Sequence, residues 1–139
     1  MSKVIFSSRA TAKNGRDGHV KSEDGLIDLD LVNPATNKED TGSNPEQLFA
    51  SAYSACFDGA LNLVAGQQDK KIDSETTVEA HFCKDPDDGG FKIAADIYVK
   101  VSGVSSDEAE KLVQDAHQAC PYSKATRGNI DVKLNTEVV

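Results

Sequence analysis

Tryptophan is missing from this chain, methionine occurs once, and only 6% of the residues are aromatic. Large rings therefore contribute little to any core, and Val, Ile, Leu and Ala must carry it. Cations are scarce against anions: 15 Lys and Arg face 23 Asp and Glu, for a net charge of −8. That deficit argues against a nucleic-acid partner or an anionic membrane surface, since both need clustered Lys and Arg. No uninterrupted apolar run approaches the roughly 18 residues of a membrane span, so no membrane is expected either. The opening residues Met1-Ser2-Lys3-Val4-Ile5-Phe6 show no apolar stretch leading to a small-residue cleavage site, so no secretory signal is expected. Cysteine is sparse as well. Three thiols cannot all pair, and without a signal they fit a reducing, cytoplasmic setting in which a disulfide is transient and catalytic.

What is present describes one soluble domain over residues 1–139. Apolar residues at 38% and charged residues at 27% suit a globular chain rather than a disordered one. A chain of this length builds a core without covalent staples. No repeat or low-complexity tract interrupts it.

The pattern of residues gives an element order. Val4 to Ala12 reads as a weakly patterned strand, and Asn14-Gly15-Arg16-Asp17-Gly18 as a tight turn. Ile27, Leu29 and Leu31 alternate with Asp28 and Asp30, the period-two signature of a half-buried strand. A polar loop runs from Asn33 to Ser43. Asn44 then offers an N-cap, Pro45 a first helical residue, and Gln47 the place that completes a capping box. The helix so opened runs to about Ala65, with Gly66 as its stop, and is apolar or small on nearly every side. Such a helix is expected to be buried all round, and in so short a chain that calls for a second copy to cover it.

Val78, Ala80 and Phe82 then share one face of a strand, with Glu79, His81 and Cys83 on the other. After the turn Asp85-Pro86-Asp87-Asp88-Gly89-Gly90, alternation from Phe91 to Val101 marks the strongest strand. Ser105 and Glu108 form a capping box for a helix ending near Ala119, because Cys120 precedes a proline and is pushed out of the α region. A short turn from Pro121 to about Gly128 leads to a last strand through Ile130, Val132 and Leu134. The order implies an α+β fold.

Chemistry centres on the thiols. A cysteine inside an apolar helix, as Cys56 is, is most often an inert core residue. Burial raises its pKa, and the helix N-terminus is roughly 16–18 Å away, beyond the reach of its partial charge. A reactive Cys56 therefore needs a cation from elsewhere in the fold. Cys120 stands at a helix break, where backbone opens and closes, and is either a working thiol or a helix-end residue of no consequence. Arg16 is by default a solvated loop cation, and Glu46 a first-turn acid worth about 0.3–1 kcal/mol. His and Cys lack C-x-x-C or H-x-x-x-H spacing, so no metal is expected. No bound cofactor is expected either.

Asn44-Pro45-Glu46-Gln47-Leu48-Phe49-Ala50, Tyr53-Ser54-Ala55-Cys56-Phe57, Gly59-Ala60-Leu61 and Cys120-Pro121-Tyr122-Ser123 together resemble the organic hydroperoxide resistance proteins of the OsmC superfamily. Gly15-Arg16-Asp17-Gly18 and Ala125-Thr126-Arg127-Gly128-Asn129 are similar to flanking segments of the same family. Tyr53 and Tyr122 favour that branch over the OsmC branch, which tends to carry His and Val there. The resemblance implies antiparallel strands wrapped around a buried central helix in an intertwined homodimer. It also implies a cysteine-based peroxidase that reduces alkyl and fatty-acid hydroperoxides to alcohols. Cys56 would attack the peroxide and become a sulfenic acid, and Cys120 would resolve it as a Cys56–Cys120 disulfide. Arg16 would stabilise the thiolate and Glu46 hold the arginine. The lipoyl group of a partner protein would be the reductant.

Cys83 has no counterpart in that scheme and is expected to be a spectator. Asp58 would raise the pKa of the thiol if it faced it, but at helical spacing it points about 200° away. A thiol redox sensor using the same cysteine pair is the alternative from another class.

Overall fold

The computed structural model describes residues 2–139, in two compact units that divide between Leu48 and Phe49. The first holds a three-stranded antiparallel sheet in the order β1 (Ala10–Lys13), β2 (His19–Ser22), β3 (Asp28–Asp30). Its first reversal is tight: Asn14 and Gly15 both have positive φ, at 62° and 64°. Gly18 closes the turn so near Lys13 that a Cβ there would lie 1.8 Å from the Lys13 carbonyl oxygen. Between them Gly15–Asp17 forms a 3-10 turn carrying Arg16.

This unit departs from the sequence pattern twice. The first strand begins at Ala10 rather than Val4, because Ala10 already pairs with Ser22, the last residue of β2. Val4, Ile5 and Phe6 are left exposed and outside any ladder. Alternation around β3 does not bury a face either: Ile27 and Leu29 are exposed and only Leu31 is buried.

The second unit is built on β4 (Asp73–Lys84) and β5 (Phe91–Ser102), antiparallel along their whole length. β6 (Val132–Val138) joins the other side of β5 and runs parallel to it, an exception to the antiparallel pattern. A parallel neighbour needs a crossover. α2 (Ser106–Ala119) and α3 (Pro121–Thr126) provide it. The capping box at the start of α2 is closed in both directions, Glu108 N–H to Ser105 Oγ and Ser105 N–H to Glu108 Oε1, each 3.2 Å. Ala109, Leu112, Val113 and Ala116 turn the apolar stripe of α2 inward.

α1 (Pro45–Gln67) is capped by Asn44, whose Oδ1 accepts from the Gln47 N–H at 2.8 Å, and it runs through Gly66 instead of stopping there. Tyr53, Phe57, Leu61 and Val64 form its buried stripe and pack with Ile97, Val99, Leu112 and Val113. The expectation of a helix buried all round is not met within one chain. Ser51, Ala55, Gly59, Leu63 and Gly66 lie on the opposite side and are exposed, Leu63 to 58%. By length and composition alone α1 is apolar enough to cross a membrane. Asp58 and Asn62 interrupt its apolar run in the sequence.

Leu61 is fully buried in this core. Leu61→Ala is expected to destabilise the protein by about 2–5 kcal/mol. The measurement is a urea titration, in which the midpoint falls while the slope stays unchanged.

Candidate active site

Cys56 lies on the fourth turn of α1 and Cys120 at the junction of α2 and α3. The structure brings them together, with 3.3 Å between the two Sγ atoms. The cause is local. Pro121 forbids α geometry at Cys120, whose φ of −67° and ψ of 122° end α2 and open α3 at the same residue. The chain turns there, and the side chain is driven into the core beside α1, fully buried. Cys120 is also the N-cap of α3: its Sγ accepts from the Ser123 N–H at 3.5 Å. Both thiols are reduced in this structure. Forming a disulfide requires the sulfurs to approach to about 2.05 Å, so the step needs a small displacement and no refolding.

Burial pushes the Cys56 thiol up from its ordinary value, the Tyr122 backbone N–H pulls it down, and the neighbouring Cys120 pushes it up again. None of these influences is a cation. The net effect favours the neutral thiol, so a nucleophilic Cys56 requires a positive charge.

Arg16 and Glu46 meet in the first unit. Arg16 Nη1 donates to Glu46 Oε2 at 2.9 Å and Nη2 to Oε1 at 2.8 Å, a bidentate pair. Only 12% of the Glu46 side chain is exposed. The fork geometry explains why arginine suits the position: lysine presents a point charge and cannot match two oxygens at once. The Arg16 guanidinium holds the Glu46 carboxyl below the usual carboxylate range, and Glu46 in turn raises the Arg16 pKa. Arg16 therefore remains a cation at any working pH.

Cys83 and Asp58 lie as follows. Cys83 lies on β4 opposite Lys92 in the ladder. Asp58 turns towards β4, where its Oδ1 accepts from Thr76 Oγ1 at 2.9 Å.

Two groupings escaped the sequence pattern. Buried Tyr53, Ser123 and Thr126 share hydrogen bonds directly beneath Cys120, and His117 joins them at 2.8 Å from Ser123 Oγ. Nothing in the spacing linked Tyr53 to residues 70 positions away. On the outer face of the sheet, Glu79, His81 and Asp96 bring their donor atoms within 4.8 Å of one another. One nitrogen and two carboxylates suit a divalent cation in kind. Strand alternation had put Glu79 and His81 on one face, but only the β4–β5 register sets Asp96 opposite Glu79.

A family profile described as OsmC-like protein matches residues 37–135. The organic hydroperoxide resistance protein OhrB of Bacillus subtilis is 51% identical over 132 residues, covering 94% of this chain and 97% of the relative. OhrA of the same organism is 47% identical over 137 residues, covering 96% of this chain and 97% of the relative. The crystal structure of Bacillus subtilis OhrB superposes with a TM-score of 0.93 over 96% of this chain and all of that one.

Loss of the Arg16 partner should be visible at Glu46. In Arg16→Ala the Glu46 carboxyl is expected to titrate higher, in the ordinary carboxylate range, in a carbon-detected NMR pH titration. Because the folded pKa is depressed, the pair's stabilisation is present above the unfolded value and disappears as pH falls through the folded one. Arg16→Ala should therefore lower stability at neutral pH and converge with the parent in acid.

Proposed function

The chain belongs to the OsmC-like family, among its organic hydroperoxide resistance proteins, and from that premise we propose that it is a cysteine-based peroxidase. The observation that carries the reading is the 3.3 Å approach of Cys56 and Cys120. The Cys56 thiolate attacks the O–O bond of an organic hydroperoxide. One oxygen stays on sulfur as the sulfenic acid and the other leaves as the alcohol. Cys120 sulfur then displaces that oxygen as water, forming the disulfide and keeping Cys56 off the irreversible rungs of oxidation. Two thiol equivalents from a reductant return the pair to its starting state. The family resemblance points to a dihydrolipoyl group on a partner protein for that role, and to a cytoplasmic setting.

The cation that activates Cys56 comes, in this reading, from a second copy of the chain. Glu46 and Cys56 are ten residues apart on the unbroken α1. That is roughly 15 Å along the axis and about 80° in direction. Arg16 is gripped by Glu46 of its own chain. An Arg16–Glu46 pair from a partner, held ready with its charge fixed, supplies what the thiol lacks. The uncovered face of α1, with Ser51, Ala55, Gly59 and Leu63 exposed, is where a second copy would pack. Small side chains let two helices approach closely.

The reaction is tested with tert-butyl hydroperoxide and dihydrolipoamide. Cys56→Ser is expected to lose all turnover, because a hydroxyl is a far poorer nucleophile than a thiolate. Cys120→Ser is expected to consume about one equivalent and then stall with Cys56 over-oxidised. Cys83→Ser should turn over like the parent. A redox sensor would instead consume about one equivalent even in the parent, and a stable Cys56–Cys83 bond in the mass spectrum would overturn the assignment.

The shared site is tested by subunit exchange. Cys56→Ser and Glu46→Ala chains are each expected to have low activity, and their mixture to regain activity above either alone. No gain, despite heterodimers confirmed by native mass spectrometry, would place the whole site within one chain.

A further inference from the structure

The polar cluster under Cys120 has a direction, and the direction can be worked out atom by atom. Ser123 carbonyl oxygen only accepts, so the 3.1 Å contact from Thr126 Oγ1 fixes the Thr126 hydroxyl as its donor. With that proton committed, the 3.2 Å contact between Tyr53 and Thr126 must be donated by the Tyr53 phenol. The 2.8 Å contact between Tyr53 and Ser123 must then be donated by Ser123 Oγ–H. Ser123 Oγ has no proton left, so the 2.8 Å contact with His117 must be donated by His117 Nδ1–H. One arrangement satisfies all four contacts. It runs His117 to Ser123 to Tyr53 to Thr126 and closes on the Ser123 carbonyl.

This chain fixes the tautomer of His117. Burial, and then the charge of Arg127, hold its pKa below the ordinary histidine value, so the neutral ring is the form to consider near neutral pH. Its single proton is on Nδ1, and Nε2 keeps its lone pair. Arg127 secures the other side of the same residue, with Nη1 donating to the His117 carbonyl at 2.9 Å. His117 is therefore held from its backbone and its ring at once.

The geometry points to a role for this chain in the resolving step. We propose that His117 and Ser123 are positioning residues that lock the turn carrying Cys120 at its reaction distance from Cys56. Ser123 is the link: its side chain stands in the middle of the hydrogen-bond chain, and its backbone N–H donates to Cys120 Sγ at 3.5 Å. A reacting atom misplaced by about 1 Å costs up to a hundredfold in rate. Tyr53 and Ser123 are wholly buried and Thr126 nearly so, and a fully satisfied buried network holds its members in one geometry. The step served is the attack of Cys120 sulfur on the Cys56 sulfenic acid: the S–S bond forms, the S–O bond breaks, and oxygen leaves as water with the Cys120 proton. This assignment rests on the peroxidase reading given above.

The test has two independent readouts on the full-length protein. Long-range nitrogen–proton NMR of the reduced protein should show His117 as the Nδ1–H tautomer, shifting towards Nε2–H in Ser123→Ala. Stopped-flow kinetics with one equivalent of tert-butyl hydroperoxide should separate sulfenic acid formation from disulfide formation. In Ser123→Ala the second step is expected to slow by about tenfold or more, as for loss of one hydrogen bond from a positioned group. The first step should change far less, and Ser123→Thr, which keeps the hydroxyl, should restore the second. General loosening of the fold would slow both steps together and would overturn the proposal, as would an Nε2–H tautomer in the parent. A parent that forms no sulfenic acid would refute the peroxidase reading instead, leaving the tautomer to be read on its own.

Discussion

The bond between Cys120 and Pro121 is the constraint on which the rest of the site depends. The proline ring excludes helical geometry from the residue before it. A helix that would otherwise run from Ser106 to Thr126 is cut in two, and Cys120 becomes the end of one piece and the cap of the next. Only at such a corner can a side chain leave the helix surface and enter the core end-on. The corner also frees the Ser123 N–H, an unpaired donor at the start of α3, to face the sulfur. One imino acid thus produces the burial of Cys120, its approach to Cys56 and its hydrogen bond.

Burial creates the opposite difficulty at Cys56. The apolar packing that brings the two sulfurs within 3.3 Å also disfavours the thiolate that the proposed chemistry needs. The bidentate Arg16–Glu46 pair has the complementary properties: a permanent charge, a planar donor fork, and a carboxylate that fixes its orientation. Separating the preparation of the charge from its use fits the proposed assembly of two chains. Each would contribute what it cannot use itself.

Much of this was legible in order along the chain. The cap at Asn44, the capping box at Ser105 and Glu108, the break at Cys120 and the period-two alternation of β5 all act over four residues or fewer. Local sterics and local hydrogen bonds decide them, so the residues themselves announce them. The cysteine motifs were legible for the same reason, as short segments with distinctive neighbours. Where ladders and faces were concerned, the pattern overreached. Val4 to Ser8 alternates too weakly to make a strand without a partner, and β2 ends too early to supply one. The uniform apolar character of α1 suggested burial on every side, whereas a single chain covers only the stripe through Tyr53, Phe57, Leu61 and Val64.

The sequence by itself determined the elements, their caps and breaks, and the identity of the groups able to react, because each depends on a few covalently adjacent residues. Tertiary structure alone decided which groups meet. β6 runs parallel to β5 because of the crossover that precedes it, and Asp96 stands beside His81 because of a strand register. Tyr53 completes a hydrogen-bond chain with residues 70 and 73 positions away. Those contacts have no local signature, since they follow from how the packed core closes rather than from any short run of residues.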